Sequence, residues 1–204
     1  MDVREVAQLA DAVVMAWYPG QEGGYALADL LFGDANFSGR LPVTFPADGD
    51  LLPPFDDYSM QGRTYKYMRD NIYYPFGFGL SYGHVDYSDL QVSADKRRGA
   101  TLSVTLTNLS QHDITETPQV YVSAPGAGVS APLQQLAAFS RVLVPAGQRV
   151  QVDFDIPADR MMTVQTDGSS KLLKGTYTLT VAGAAPSPRS EALGVSQVSA
   201  QVKL

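Results

Sequence analysis

From Val85 to Leu204, apolar and polar residues alternate along the chain. The stretches "YSDLQVSA", "ATLSVTLTNLS", "TPQVYVSAP", "LAAFSRVLVPAGQRVQVDFDIP", "GTYTLTVAGA" and "LGVSQVSAQVKL" carry the pattern, between Gly, Pro, Asn and Asp punctuation. A period of two puts successive side chains on opposite faces of a strand. Six or seven such strands over about 120 residues predict an antiparallel sandwich of two packed sheets. Phe139, Val142, Val144, Val152, Phe154, Tyr177, Leu179 and Val181 are expected to supply much of its core.

Strand number and spacing place this region, residues 85–204, with the immunoglobulin-like or fibronectin-type sandwiches. The first 45 residues follow other periods. In "VREVAQLA", residues 3–10, Val6, Leu9 and Ala10 share one face of a short amphipathic helix. "DAVVMAW", residues 11–17, is nearly all apolar, as in a parallel-sheet strand covered on both faces. Pro19 and Gly20 stop it. Ala26, Leu27, Leu30 and Leu31 then recur at helical spacing, and Gly33 closes that helix. "LPVTF", residues 41–45, reads as one more short extended segment. This amounts to about one and a half βα units, too little to cover a parallel sheet. Residues 1–45 are therefore expected to be loosely ordered alone, to dimerise, or to dock on a chain carrying the missing sheet. Between the two regions, residues 46–84 are proline-rich and aromatic, a composition that favours packing over disorder.

Composition narrows the functional classes. The chain has 204 residues, 45% of them hydrophobic, with a net charge of −6. That charge argues against nucleic acid as a partner, which requires clustered Lys and Arg. The one basic cluster, Lys96-Arg97-Arg98, reads as a solvated turn after Asp95. There is no cysteine, so disulfides and thiolate metal sites are excluded and the redox compartment is unmarked. His84 and His112 lack partners at metal-ligand spacing, and neither a metal nor a cofactor is expected. No apolar run approaches the ~20 residues of a membrane helix. The N-terminus Met1-Asp2-Val3-Arg4-Glu5 lacks the regions of a signal peptide.

Several motifs have a chemical and a structural reading. "GLSYG", residues 79–83, fits the G-x-S-x-G pattern of a hydrolase nucleophile, but no helical period follows Ser81, so a structural turn is expected. "PGQEGG", residues 19–24, lacks the spacing of phosphate-binding loops, and Glu22 would repel an anion. Glycosidic chemistry needs two converging carboxyls. Glu22, Asp29, Asp34, Asp56 and Asp57 are the available acids, and no spacing pairs them. The sequons at Asn36 and Asn108 are a weak glycosylation signal.

Taken together, "DAVVMAWYPGQEGGYALADLLFGDANFSGRLPVTFP", "QGRTYKYM" and "IYYPFGFGLSYG" resemble the C-terminal part of family 3 glycoside hydrolases, the β-glucosidase and β-xylosidase type. "LQQLAAFSRVLVPAGQRVQVDFDI" and "GTYTLTVAGA" resemble the fibronectin type III-like domain that closes many of those enzymes. The resemblance implies a (β/α)-barrel, an α/β sandwich and a fibronectin-like domain in the parent enzyme. This chain would hold the end of the second (1–45), the connecting segment (46–84) and the third (85–204). It also implies retaining hydrolysis of β-linked glucosides or related sugars, with an aspartate nucleophile in a Ser-Asp-Trp context and a glutamate acid/base.

Neither catalytic role transfers to this chain. Trp17, its one tryptophan, sits in "MAWYPG", and the acid/base glutamate of the family normally precedes the "WYPGQEGG" stretch. Glu22 matches a motif glutamate read as architectural, a first-turn carboxylate able to cap nearby amides. No catalytic residue is therefore expected here. Arg63, Tyr65 and Tyr67 are the candidates for substrate contact, against the plainer role of pinning the connecting segment. The expected partners are the missing barrel and sandwich segment, in the same or a separate chain, and a β-glycoside substrate. A periplasmic or extracellular parent fits the family, with no leader visible in this chain. A free-standing module that binds carbohydrate or protein is the alternative, disfavoured by a sandwich without Trp and with few Tyr.

Overall fold

The computed structural model describes residues 3–127 and 131–204. Met1, Asp2 and residues 128–130 lie outside the described residues. The two N-terminal helices form where the sequence predicts them, as α1 (Arg4–Leu9) and α2 (Gly23–Phe32). Gly33 ends α2 in the left-handed conformation, with φ of 86°, a backbone state that glycine adopts without Cβ strain. Residues 11–17 do not form the predicted strand. No described strand lies beside them, and unpaired backbone amides and carbonyls cannot build a ladder. Neither helix buries a residue, and Val13, Val14 and Trp17 stand exposed.

The extended segment after α2 pairs antiparallel with the connecting segment and joins no parallel sheet. β1 (Phe45–Pro46) lies against β2 (Ile72–Tyr74), and Leu41 exchanges backbone hydrogen bonds with Gly77 and Phe78. A short helix, α3 (Thr64–Tyr67), and a single 3-10 turn at Gly49–Leu51 are the other regular pieces of this segment.

The alternating region folds as the predicted sandwich. In chain order its strands are β3 (Val85–Asp95), β4 (Gly99–Asn108), β5 (Ile114–Glu116), β6 (Gln119–Ser123), β7 (Gln135–Phe139), β8 (Val142–Val144) and β9 (Arg149–Pro157). The hairpin of β10 (Thr163–Val164) and β11 (Ser170–Lys171) follows, then β12 (Thr176–Ala182), the helix α4 (Pro188–Ala192) and β13 (Gln197–Lys203). One sheet runs β13-β12-β6-β7 and the other β3-β4-β9, with β5 and β8 paired separately. Every named pairing is antiparallel.

Register explains the core. Leu102 opposes Phe154 and Val104 opposes Val152 in one sheet; Leu179 opposes Val122 and Val181 opposes Val120 in the other. All eight are buried, so each sheet turns one apolar face inward and a polar one outward. Tyr177 is wholly buried, and its hydroxyl donates to the carbonyl of Leu173 at 3.0 Å. This back-bond at the entry of a strand is the tyrosine corner of immunoglobulin-like sandwiches. Six of the eight predicted core residues are buried, and Val142 packs against them at partial exposure. Phe139 does not belong: it is 66% exposed. It ends the outer strand β7, whose pairing with β6 shifts register between Val120 and Tyr121. A one-residue shift moves side chains to the opposite face.

Candidate functional site

The polar chemistry of the molecule gathers where the N-terminal and connecting segments meet the sandwich. Arg40, in the "SGRLPVTF" stretch, donates through Nη2 to both carboxylate oxygens of Glu116, at 2.9 and 3.0 Å. Their side chains are only 11% and 8% exposed. Charge-assisted hydrogen bonds of this kind are short and strong, and burial removes the solvent screening that weakens surface pairs. The Tyr87 hydroxyl and the Thr117 amide also donate to Glu116 Oε1, at 3.3 and 2.8 Å. Burial pushes the Tyr87 phenol well above its ordinary pKa, and the neighbouring Glu116 charge adds to the effect.

Asn36 makes a second junction. Its Oδ1 accepts from the Ser81 hydroxyl at 2.9 Å and the Tyr82 amide at 3.0 Å, and its Nδ2 donates to the carbonyl of Asp113 at 3.3 Å. The Tyr82 hydroxyl donates to the Leu30 carbonyl at 2.5 Å, tying the end of α2 down. Ser81 therefore sits in a structural turn, as expected. Both sequon asparagines are engaged. Asn108, 1% exposed, donates to the carbonyls of His112 and Val144. In "FGFGLSYG", Gly77 has a φ of 79°, and a Cβ there would collide with the side chain of Gln119. Gln119 instead donates to the carbonyls of Gly77 and Gly183, at 3.1 and 2.8 Å.

Beside the Arg40–Glu116 pair lies a cleft of about 110 Å³, bordered by Ser81, His84, Tyr87 and Ser196. His84 Nε2 lies 2.9 Å from Asp86 Oδ1 and 3.1 Å from the Ser196 hydroxyl. Both neighbours use the same ring nitrogen, whereas a catalytic triad places carboxylate and hydroxyl on opposite nitrogens. Among the described residues Glu116 is the one acid lining the cleft, and it is engaged by Arg40. Glycosidic bond cleavage needs two carboxyls flanking the bond, and the cleft offers none free.

The sequence-derived candidates lie in the connecting segment. Arg63 Nη2 donates to the carbonyls of Pro53, Pro54 and Asp57, at 3.3, 2.8 and 2.9 Å. The Tyr65 ring stacks on Phe76 at 4.4 Å and meets Tyr121 edge-on at 5.8 Å. Its hydroxyl accepts from the Leu136 amide at 3.2 Å, and burial raises its pKa. Tyr67 sits half-buried on α3. Glu22 occupies the N-cap of α2, but its side chain makes no capping bond, so the capping role expected of it is not realised. The helix-opening turn is closed by backbone instead, from the Gly23 amide to the Gly20 carbonyl at 3.0 Å.

Arg40 and Glu116 carry no chemical role in the motifs read from the sequence, and Asn36 was legible there only as a sequon. A signal existed for Glu116, which is two residues from Ile114 on β5 and therefore shares its inward face. An acid on that face requires a buried partner. Nothing local marks Arg40 as that partner across 76 positions.

Residues 1–82 match the model of the glycosyl hydrolase family 3 C-terminal domain, and residues 116–185 match a fibronectin type III-like domain. The chain belongs to glycoside hydrolase family 3. It corresponds to the C-terminal part of such proteins. A xylan 1,4-beta-xylosidase of Xylanibacter ruminicola is 38% identical over 83% of this chain and 20% of the relative. A periplasmic beta-glucosidase of Salmonella typhimurium is 36% identical over 76% of the chain and 22% of its own length. The chain thus spans about a fifth of the curated relatives. The crystal structure of a family 3 beta-glucosidase from Bifidobacterium adolescentis superposes on all of this chain with a TM-score of 0.86, at 28% identity and over 31% of its own length.

Proposed function

We propose that this chain is the C-terminal scaffold portion of a retaining β-glycosidase acting on terminal β-linked glucosides, xylosides or related sugars, and that it is inactive alone. One observation carries the reading. A sandwich with its own complete core is clamped by Arg40–Glu116 to an α/β segment whose apolar side chains face outward. A face of that kind needs a cover. In the complete enzyme the cover is the rest of the α/β sandwich together with the barrel, from the same or a separate chain, which supply nucleophile and acid/base. Residues 1–45 end the sandwich domain, 46–84 connect, and 85–204 form the fibronectin-like domain. Arg63 and Tyr65 are positioning residues that fix the connecting segment towards the catalytic face, with Tyr67 beside them on α3. The names of the β-xylosidase and β-glucosidase relatives support the substrate class.

Hydrolysis of aryl β-glucosides and β-xylosides by the 204-residue chain and by the full-length protein tests the proposal. The full-length protein is expected to turn over and the 204-residue chain to stay at background. Turnover by the chain alone that vanishes on Glu22→Gln, or on Ser81→Ala, would give it an active site of its own and overturn the scaffold reading.

A further inference from the structure

The chain covers one outer face of the sandwich and leaves the other bare. Along β9 the residues that point away from the core, Arg149, Gln151, Asp153 and Asp155, are exposed. In β6 the equivalent residues are buried: Gln119 is 3% and Tyr121 1% exposed. They alternate with Val120 and Val122, which face the core, so they lie on the opposite side of the sheet. Residues 64–78 of the connecting segment lie over them. Tyr65 stacks on Phe76 and meets Tyr121 edge-on. Five hydrogen bonds join this segment to residues 85–204, and in each the latter supply the donor. Gln119 Nε2 donates to the Gly77 carbonyl at 3.1 Å and Arg189 Nε to the Tyr73 carbonyl at 3.0 Å. The Leu133 and Ala185 amides donate to the carbonyls of Lys66 and Phe76, both at 2.8 Å. The Leu136 amide donates to the Tyr65 hydroxyl at 3.2 Å.

Four of the five acceptors are backbone carbonyls, so the sandwich holds the path of the chain itself. The segment has little of its own to hold that path. α3 is four residues long, far short of a helix that stands alone. Thr64 keeps a φ of 55°, which a β-branched residue holds only where its surroundings enforce it. The inner core of the sandwich, by contrast, includes no residue of 64–78. We infer that the outer face of the β13-β12-β6-β7 sheet is a mould for residues 64–78, and that shaping this segment is a function of the sandwich. Dependence runs one way, from sandwich to segment. The shape passes further along the chain, since Gly77 and Phe78 bond Leu41, and Tyr74 pairs with Phe45. The inference goes beyond the glycosidase reading and does not rest on it, because every contact it uses lies within this chain.

Hydrogen exchange on the 204-residue chain and its variants tests the mould. The amides of Met68, Gly77 and Phe78, bonded to Thr64, Leu41 and Pro75, report the segment; those of β4 report the inner core. Gln119→Leu and Arg189→Met each remove a donor that lies outside that core. Together they are expected to speed the segment amides about tenfold, with the β4 amides changed less than about twofold. Tyr65→Ala, from the other side, should loosen the same amides and again leave β4 as it was. Unchanged segment amides in the double variant overturn the mould, since the segment then holds itself. Equal acceleration of the β4 amides on Tyr65→Ala also overturns it, since segment and sandwich would then open as one unit. Arg189→Met alone leaves the sheet intact and serves where the double variant does not fold. It is expected to speed the Ala47 amide, which donates to the Asn71 carbonyl beside β2, and no change there overturns the mould.

Discussion

The N-terminal segment and the sandwich both carry an amphipathic pattern, yet they end in opposite states. In β4, Leu102, Val104 and Leu106 alternate with polar neighbours and are buried. In α1 and α2, Val6, Leu9 and Leu31 recur at helical spacing and stand exposed. The difference lies in what the chain provides to face them. A strand of the sandwich finds a second sheet within the same 120 residues, whereas the helices and the 11–17 segment find no sheet. Amphipathic periodicity states which side of an element wants cover; it does not supply the cover.

The clamp between the two regions is where the contrast can be broken most sharply. Arg40→Met leaves the Glu116 carboxylate buried without its cation, and it should destabilise the chain by about 3–5 kcal/mol. Denaturant unfolding would measure this, and the Arg40→Met/Glu116→Met pair should recover most of the loss. If the single variant costs nothing, the clamp does not hold the halves together.

Next come the cores. Leu179→Ala in β12 should cost roughly 2–5 kcal/mol, as buried leucines do. Leu31→Ala in α2 should stay within about 0.5 kcal/mol, as exposed positions do. Equal costs would mean that α2 packs in solution against something that buries it. Hydrogen exchange gives the same contrast residue by residue. Amides of β4, β9 and β12 should exchange slowly, near the global stability, and those of residues 11–17 fast, since they have no ladder. Equal protection in a proven monomer would contradict the exposed state of that segment.

The smallest expected effect is a titration. Hydrogen bonds from the Ser59 amide and hydroxyl hold the Asp57 pKa below its usual value, with the Arg63 charge as a lesser cause. Its folded pKa is depressed, so the associated stabilisation is present above the unfolded value and is lost as pH falls through the folded one. Loop 53–63 should therefore loosen only below the ordinary carboxylate range, seen as faster exchange of the Ser59 and Arg63 amides. Asp57→Asn should remove that pH dependence.

Local pattern made most of these elements readable in advance. The period of two from Val85 located the sandwich strands, and Gly33 marked the end of α2. Phe139 escaped because an apolar residue in an alternating run carries no mark of a register shift in the neighbouring strand. Residues 11–17 escaped because an apolar run reports a preference for a covered strand, and the structure provides no neighbour to pair with it. Arg63, Tyr65 and Tyr67 stood out in the sequence as candidates for substrate contact or for pinning the connecting segment, and the structure shows backbone and ring contacts for the first two. The partners did not stand out, since three backbone carbonyls and the Leu136 amide leave no trace in side-chain chemistry.

The sequence by itself determined the sandwich, because alternation is a property of neighbouring residues and strand geometry converts it directly into two faces. It also determined the family, because the resemblance is carried by contiguous motifs such as "WYPGQEGG" and "SGRLPVTF", which are legible without the fold. Only the tertiary structure decided that Arg40 belongs to Glu116 and Asn36 to Ser81, 76 and 45 positions away. A hydrogen bond depends on distance and angle in space, and the chain can bring any two such residues together or keep them apart. The exposure of Phe55 and Tyr58 was decided in the same way. A ring in a proline-rich loop is buried or free according to what the folded chain places over it.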